Sequence, residues 1–146
     1  MQVPHNTFVV VADGEKMLFF RNEGDAEFLK LQIERKREQE NPANTGHKTS
    51  EAGRAFPSSG PGHHAYSDTD FHQMEEDKFA AETAELLKNR ALRKDFDSLI
   101  IVAPPKTLGE LRKHYHKEVQ KRLAGEIAKD LTGHPVEDIE KIIAAQ

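Results

Sequence analysis

Unbroken apolar runs, alternation and helical spacing succeed one another along this chain, and each predicts a different element. Phe8-Val9-Val10-Val11-Ala12 is an uninterrupted, mostly β-branched apolar run, the pattern of a strand covered on both faces. Asp13-Gly14 follows, a two-residue turn signal. Lys16 to Arg21, with Met17, Leu18, Phe19 and Phe20, is predicted to be the returning strand. Asn22 to Asp25 supplies a second turn. Glu27 to Glu34 alternates, with Leu29, Leu31 and Ile33 on one face and Lys30, Gln32 and Glu34 on the other. That is a half-exposed strand at a sheet edge. The first third is therefore an antiparallel meander.

The rhythm changes after residue 70. Asp70 with Gln73 forms a capping box, and Met74, Phe79, Thr83, Leu86, Leu87 and Ala91 give a helical stripe to about Lys94. Glu75, Glu76 and Asp77 place acid near the positive helix end. Ser98 to Ala103 is a second buried strand, stopped by Pro104-Pro105. Thr107-Leu108-Gly109-Glu110 is a second capping box, opening a helix with Leu108, Leu111 and Tyr115 on one side. Val119 to Leu123 fits helix or loop. Gly125 to Leu131 is read as the last strand. His134-Pro135 starts a final helix with proline at its first position and Val136, Ile139, Ile142 and Ile143 on its apolar face. The order βββ-αβαβα, with right-handed crossovers, closes as an α/β five-stranded mixed sheet of order 3-2-1-4-5 flanked by helices, a ribonuclease-H-like arrangement.

Glu34 to Asp70 breaks these rhythms. Between Glu34 and Thr69 there is one Phe, one Tyr and no aliphatic residue larger than Ala apart from prolines. Such a stretch cannot offset its ordering entropy. The expectation is one domain of residues 1–146 carrying a flexible loop insertion at about 35–69. Loops of this length inside compact domains are functional or disordered.

Composition adds exclusions. The apolar fraction is 36%, the charged fraction 32% and the formal net charge −4, so there is no global pull toward nucleic acid or anionic membrane. The basic clusters Arg35-Lys36-Arg37, Arg90 to Lys94 and Arg112-Lys113-His114 each have carboxylates nearby and read as solvated faces. With no cysteine, disulfides, thiolate zinc sites and thiol nucleophiles are excluded. Met1 to Thr7 lacks a basic stretch followed by an apolar one, and Phe8 to Ala12 and Leu99 to Ala103 are too short to span a bilayer. A soluble cytoplasmic protein without membrane insertion is expected.

An ordered set of segments resembles a known family: Phe8-Val9-Val10-Val11-Ala12-Asp13-Gly14; Gly53-Arg54-Ala55-Phe56 with Ser59-Gly60; His64-Ala65 with Thr69-Asp70; Glu76 with Phe79-Ala80; Leu99 to Pro105; Leu108-Gly109-Glu110-Leu111-Arg112; and Glu126 to Thr132 running into His134-Pro135. Over nearly its whole length the chain resembles the bacterial host attachment proteins, also called proteins required for attachment to host cells. That family is similar to the middle domain of archaeal and eukaryotic class-1 peptide release factors and their Pelota relatives, a ribonuclease-H-like α/β sandwich. In release factors the loop between the third strand and the first long helix bears Gly-Gly-Gln, which enters the peptidyl-transferase centre and helps water release the peptide. The corresponding tip here reads Gly60-Pro61-Gly62-His63-His64, and no glutamine lies between Gln39 and Gln73. The hydrolytic chemistry is therefore not carried over. The resemblance implies a link to ribosomes, ribosomal RNA or tRNA, and an attachment phenotype.

The residues themselves assign no catalytic group, cofactor or metal. Asp13 ends the first strand, where a nuclease of this fold holds a metal carboxylate. Metal-assisted phosphoryl chemistry needs several carboxylates, none is evident at the other strand ends, and a hairpin turn explains Asp13-Gly14. His47, His63, His64 and His72 concentrate in or beside the loop, but adjacent histidines without thiolates do not have zinc-finger spacing. Gly60-Pro61-Gly62 lacks the phosphate-loop pattern. Lys48, Arg54, His63 and His64 suit phosphate contacts, Phe56 and Tyr66 suit base stacking, and Gly60 and Gly62 allow close approach. Three readings stand: a non-catalytic ribosome- or RNA-binding module, a protein-interaction module of an attachment pathway without nucleic acid, and a hydrolase using a loop histidine.

Overall fold

The computed structural model describes residues 1–38 and 68–146. Five strands form one mixed sheet in the order β3-β2-β1-β4-β5, as expected from the sequence. They are β1 (Phe8–Ala12), β2 (Lys16–Asn22), β3 (Leu31–Glu38), β4 (Leu99–Ala103) and β5 (Leu123–Ala128). The helices are α1 (Asp68–Leu92), α2 (Pro105–Arg112), α3 (Lys117–Arg122) and α4 (Val136–Ala144). β1 pairs antiparallel with β2 and parallel with β4, Val10 lying opposite both Phe19 and Ile101. β5 continues the parallel side.

Strict alternation along β1 and β4 builds two cores. Phe8, Val10 and Ala12 with Leu99, Ile101 and Ala103 face α1, α2 and α3, where Phe79, Leu87, Leu108, Leu111 and Val119 meet them. Val9 and Val11 with Ile100 and Val102 face α4, whose Ile139 and Ile143 close the second core. Helices on both faces are why these strands carry no polar position. Each fully buried large side chain contributes about 1.5–3 kcal/mol.

Several boundaries differ from the sequence reading, each for a local reason. β3 begins at Leu31 rather than Glu27, because residues 23–30 form a hydrogen-bonded turn in which the Glu23 amide donates to the Lys30 carbonyl. It continues to Glu38, opposite Lys16, so 35–38 are strand and not part of a flexible insertion; 68 and 69 likewise belong to α1. The rest of the expected insertion lies outside the described residues. Pairing slips from Phe19↔Arg35 to Phe20↔Ile33, a bulge that leaves Glu34 as the extra residue. Leu31 is buried while Ile33 stays 47% exposed on this edge strand.

α1 starts at Asp68, which places Asp70 inside the helix and not at its cap. The Gln73 amide donates to the Asp77 carboxylate at 2.9 Å instead of closing a capping box. Met74 is exposed, and Phe79, Ala80, Thr83, Ala84, Leu87 and Ala91 form the buried stripe. At the far end Lys94 takes φ 62, its amide donating to Ala91 O and that of Asp95 to Arg90 O, a Schellman closure with lysine in the left-handed position. α2 begins at Pro105 with Pro104 before it, so Thr107 is not its cap; proline at the first position lacks the amide that a cap would satisfy. The segment left open at Val119 is helical: α3 is capped by His116 Nδ1, which accepts from the Glu118 amide at 3.0 Å. α3 runs directly into β5, which therefore starts at Leu123 and ends at Ala128, earlier than the expected Gly125 to Leu131. Pro135 is the cap residue of α4 rather than its first helical residue.

Candidate functional site

Three parallel strands, β1, β4 and β5, end at one edge of the sheet, and in open α/β sheets this carboxyl edge is where ligands are placed. β3 ends there too, with Glu38 opposite Lys16. α1 starts beyond the same edge. Its Glu76, about two turns from the helix start, stands beside Gly14, while its Arg90 reaches Phe8 at the opposite edge. β3 thus ends and α1 starts at the carboxyl edge.

The β1–β2 turn forms the floor. Asp13 Oδ1 accepts from the amides of Glu15 and Lys16 at 2.9 and 2.8 Å, and Gly14 takes φ 105. Asp13 serves the hairpin, as its sequence context implies. Its second oxygen accepts from the Thr132 hydroxyl at 2.8 Å, tying the turn to the loop after β5. Thr132 Oγ is also 3.0 Å from Asp130 Oδ1. Lys106 pairs with Glu76 at 3.1 Å, and Lys113 with Glu110 at 3.2 Å. Hydrogen bonding with Glu110, then with Gln73, holds the Asp77 carboxyl below its usual range. Among the described residues no group of histidines and carboxylates is arranged to hold a metal ion. The carboxylates Asp13, Glu76, Asp77, Glu110 and Asp130 stand in this region together with Lys16, Lys106 and Lys113.

Lys48, Arg54, Phe56, Gly60, Gly62, His63, His64 and Tyr66 all lie outside the described residues, as does His47. His72 lies on the exposed start of α1, its ring edge-on to Phe71.

Two polar clusters escaped the sequence reading. At the amino edge Glu34, turned by the bulge, accepts from Arg21 Nε and Nη2 at 3.0 and 3.2 Å, with Arg90 at 3.8 Å. Arg21 also donates to the Asp95 carbonyl. Both guanidiniums lie over Phe8, at 5.4 Å for Arg21 and 4.7 Å for Arg90, and Phe8 stacks between Phe19 and Phe96. Beside β5, Glu126 accepts from Arg112 through one oxygen and from the Tyr115 hydroxyl through the other. Burial, then the Glu126 charge, pushes the Tyr115 phenol up. These clusters join residues far apart in sequence, and only the basic runs Arg90 to Lys94 and Arg112 to His114 hinted at them.

No helix among the described residues is long and apolar enough to cross a membrane. No curated protein matches the chain. One solved structure, described as an archaeal protein, is similar at 12% identity and a TM-score of 0.42, over 94% of this chain. The chain spans 39% of that protein's length. A family model described as bacterial archaeo-eukaryotic release factor family 12 matches residues 6–143. The release-factor relationship expected from the sequence is thereby borne out: the chain belongs to family 12 of the bacterial archaeo-eukaryotic release factors.

Proposed function

We propose that this chain is a cytoplasmic, translation-associated module that docks the segment between β3 and α1 on ribosomal RNA or tRNA, without peptide-release chemistry. The observation that carries the reading is the placement of its flanks: in a release-factor family member, β3 ends and α1 begins at the carboxyl edge of the sheet. The carboxylates of that edge, Asp13, Glu76 and Asp130, disfavour phosphate beside the β1–β2 turn. Contacts therefore fall to the segment itself, with Lys48, Arg54, His63 and His64 meeting phosphates, Phe56 and Tyr66 stacking on bases, and Gly60 and Gly62 permitting close approach.

Ribosome co-sedimentation tests this. Binding weakens steeply with salt, because phosphate contacts release counterions, and weakens as pH rises through roughly 6.5, where histidine loses its charge. Ala at Arg54, His63 and His64 together lowers affinity, flattens the salt dependence by roughly two to three units of log–log slope, and leaves the melting temperature unchanged. Peptidyl-tRNA hydrolysis is absent, since the segment's tip has no glutamine. Equal sedimentation of parent and triple variant across salt concentrations refutes the proposal and favours a protein-interaction role in an attachment pathway.

A further inference from the structure

At the amino edge, opposite the edge where β3 ends and α1 starts, the β2–β3 turn holds Phe28 out at 73% exposure. The turn is tightly built. The Asn22 side chain, fully buried, donates to Val3 O and Pro4 O at 2.9 and 3.2 Å and accepts from the Gly24 and Lys30 amides at 2.9 Å each. Asp25 Oδ1 accepts from the Glu27 and Phe28 amides at 2.9 and 2.8 Å, the Asp25 amide donates to Phe28 O, and His5 Nδ1 donates to Gly24 O at 2.7 Å. At Gly24 a Cβ would come within 2.0 Å of Phe28 O, so the turn has no slack there.

Two of these bonds use the backbone of Phe28, its amide to Asp25 Oδ1 and its carbonyl from the Asp25 amide, and none uses its ring. Its ring is not needed by the fold: the neighbouring Leu29 and Leu31 pack on the second core instead. An aromatic side chain fixed on a rigid turn needs little further ordering on binding, the condition under which an aromatic anchor is most effective. The surroundings select the partner. Glu23, Asp25 and Glu27 are exposed around it, against Lys30 and the His5 ring. Backbone donation from Phe28 and Glu27 holds the Asp25 carboxyl below its usual range, so it stays charged. Three carboxylates repel a phosphate backbone and attract a cation, and a planar guanidinium both pairs with carboxylates and stacks on a phenyl face.

We infer that the turn Glu23–Lys30 is a docking knob for an arginine-bearing protein segment, with Phe28 as its stacking anchor and Glu23, Asp25 and Glu27 as its acidic rim. The inference is independent of RNA binding at the other edge. The test is amide-shift mapping on the isotope-labelled full chain, titrated with an arginine-glycine repeat peptide, a glutamate-glycine repeat of equal length and an oligouridylate. The arginine peptide is expected to give saturable shifts centred on Glu23–Lys30, and the other two none there. Phe28→Ala should weaken binding about fivefold or more with an unchanged melting temperature, Phe28→Tyr should retain it, and Glu23→Gln with Glu27→Gln should weaken it and flatten its salt dependence. Shifts spread evenly over surface carboxylates, equal affinity in Phe28→Ala, a lowered melting temperature in that variant, or shifts at the turn from oligouridylate would each overturn the inference.

Discussion

Asn22→Ala is the single substitution from which the structure predicts the largest loss for the fewest atoms removed. The carboxamide has no solvent exposure and joins three segments: the N-terminal residues 3–4, the Gly24 turn and Lys30 just before β3. Truncation leaves the Val3 carbonyl without this donor in a buried position, at about 1–3 kcal/mol. The Pro4 carbonyl and the Gly24 and Lys30 amides are partly exposed, so water recovers some of their loss, and each adds about 0.5 kcal/mol. The sum is about 3 kcal/mol, a large part of the ~5–15 kcal/mol that holds a domain of this size. Against ~2–4 °C per kcal/mol for chains near this length, the melting temperature should fall by about 10 °C. Asn22→Asp preserves shape and both acceptor contacts but sets a carboxylate against the Val3 and Pro4 carbonyls. It should be at least as destabilising at neutral pH, which separates lost donation from lost volume. Thermal and urea melts of both variants, with amide exchange at Gly24 and Lys30, make the measurement. A shift under about 2 °C, or undiminished protection of those two amides, would show that Asn22 does not hold the turn.

Three further outcomes are expected. Val10→Asp and Ile101→Asp place lone carboxylates between fully buried neighbours on adjacent strands, and neither should yield folded soluble protein; a soluble Val10→Asp variant with the parent's melting curve would refute the core assignment. Asp13→Ala removes three hydrogen bonds from the β1–β2 turn and should cost about 1–2 kcal/mol in a urea melt while leaving ribosome sedimentation intact, since its role is in the turn. Glu118 is held down to about 2 by Arg122 and then Lys121. Because this folded value is depressed, its stabilisation is present above the ordinary glutamate range and is lost as pH falls toward 2; NMR titration should show the low midpoint, and Arg122→Gln should raise it.

Sequence legibility followed the range of the physics involved. β1 and β4 were legible because burial on both faces leaves an unbroken apolar run, and the strand order followed from that and the crossover rule. The β3 bulge was not, because it is set by pairing with Phe19 and Phe20 rather than by β3's own residues. The two capping boxes failed as helix starts: α1 begins before Asp70, and Pro104-Pro105 starts α2 before Thr107. Asp13 was legible as a turn, whereas its bond to Thr132 joins residues 119 apart and left no local trace. The proposed RNA contacts are legible only as composition and resemblance, since all eight lie between β3 and α1 outside the described residues.

The amino-edge cluster bears on how such a segment would act. β3 and α1 are its two flanks, and at the edge away from it they are joined through Glu34, which meets both Arg21 and Arg90. Arg90 in turn lies on Phe8 and pairs with Asp95 at 3.4 Å just past the end of α1. Charges partly withdrawn from water and resting on a stacked aromatic surface are screened less by salt than exposed pairs. α1, at about 1.5 Å per residue, spans the sheet from this clamp to the carboxyl edge, with Phe79 and Leu87 in the core along the way. Force applied between residues 39 and 67 would therefore reach the sheet through two elements fixed at their far ends, and the flanks would resist moving separately. Under the proposed docking, the contacts would then be carried by side chains of the segment rather than by the sheet.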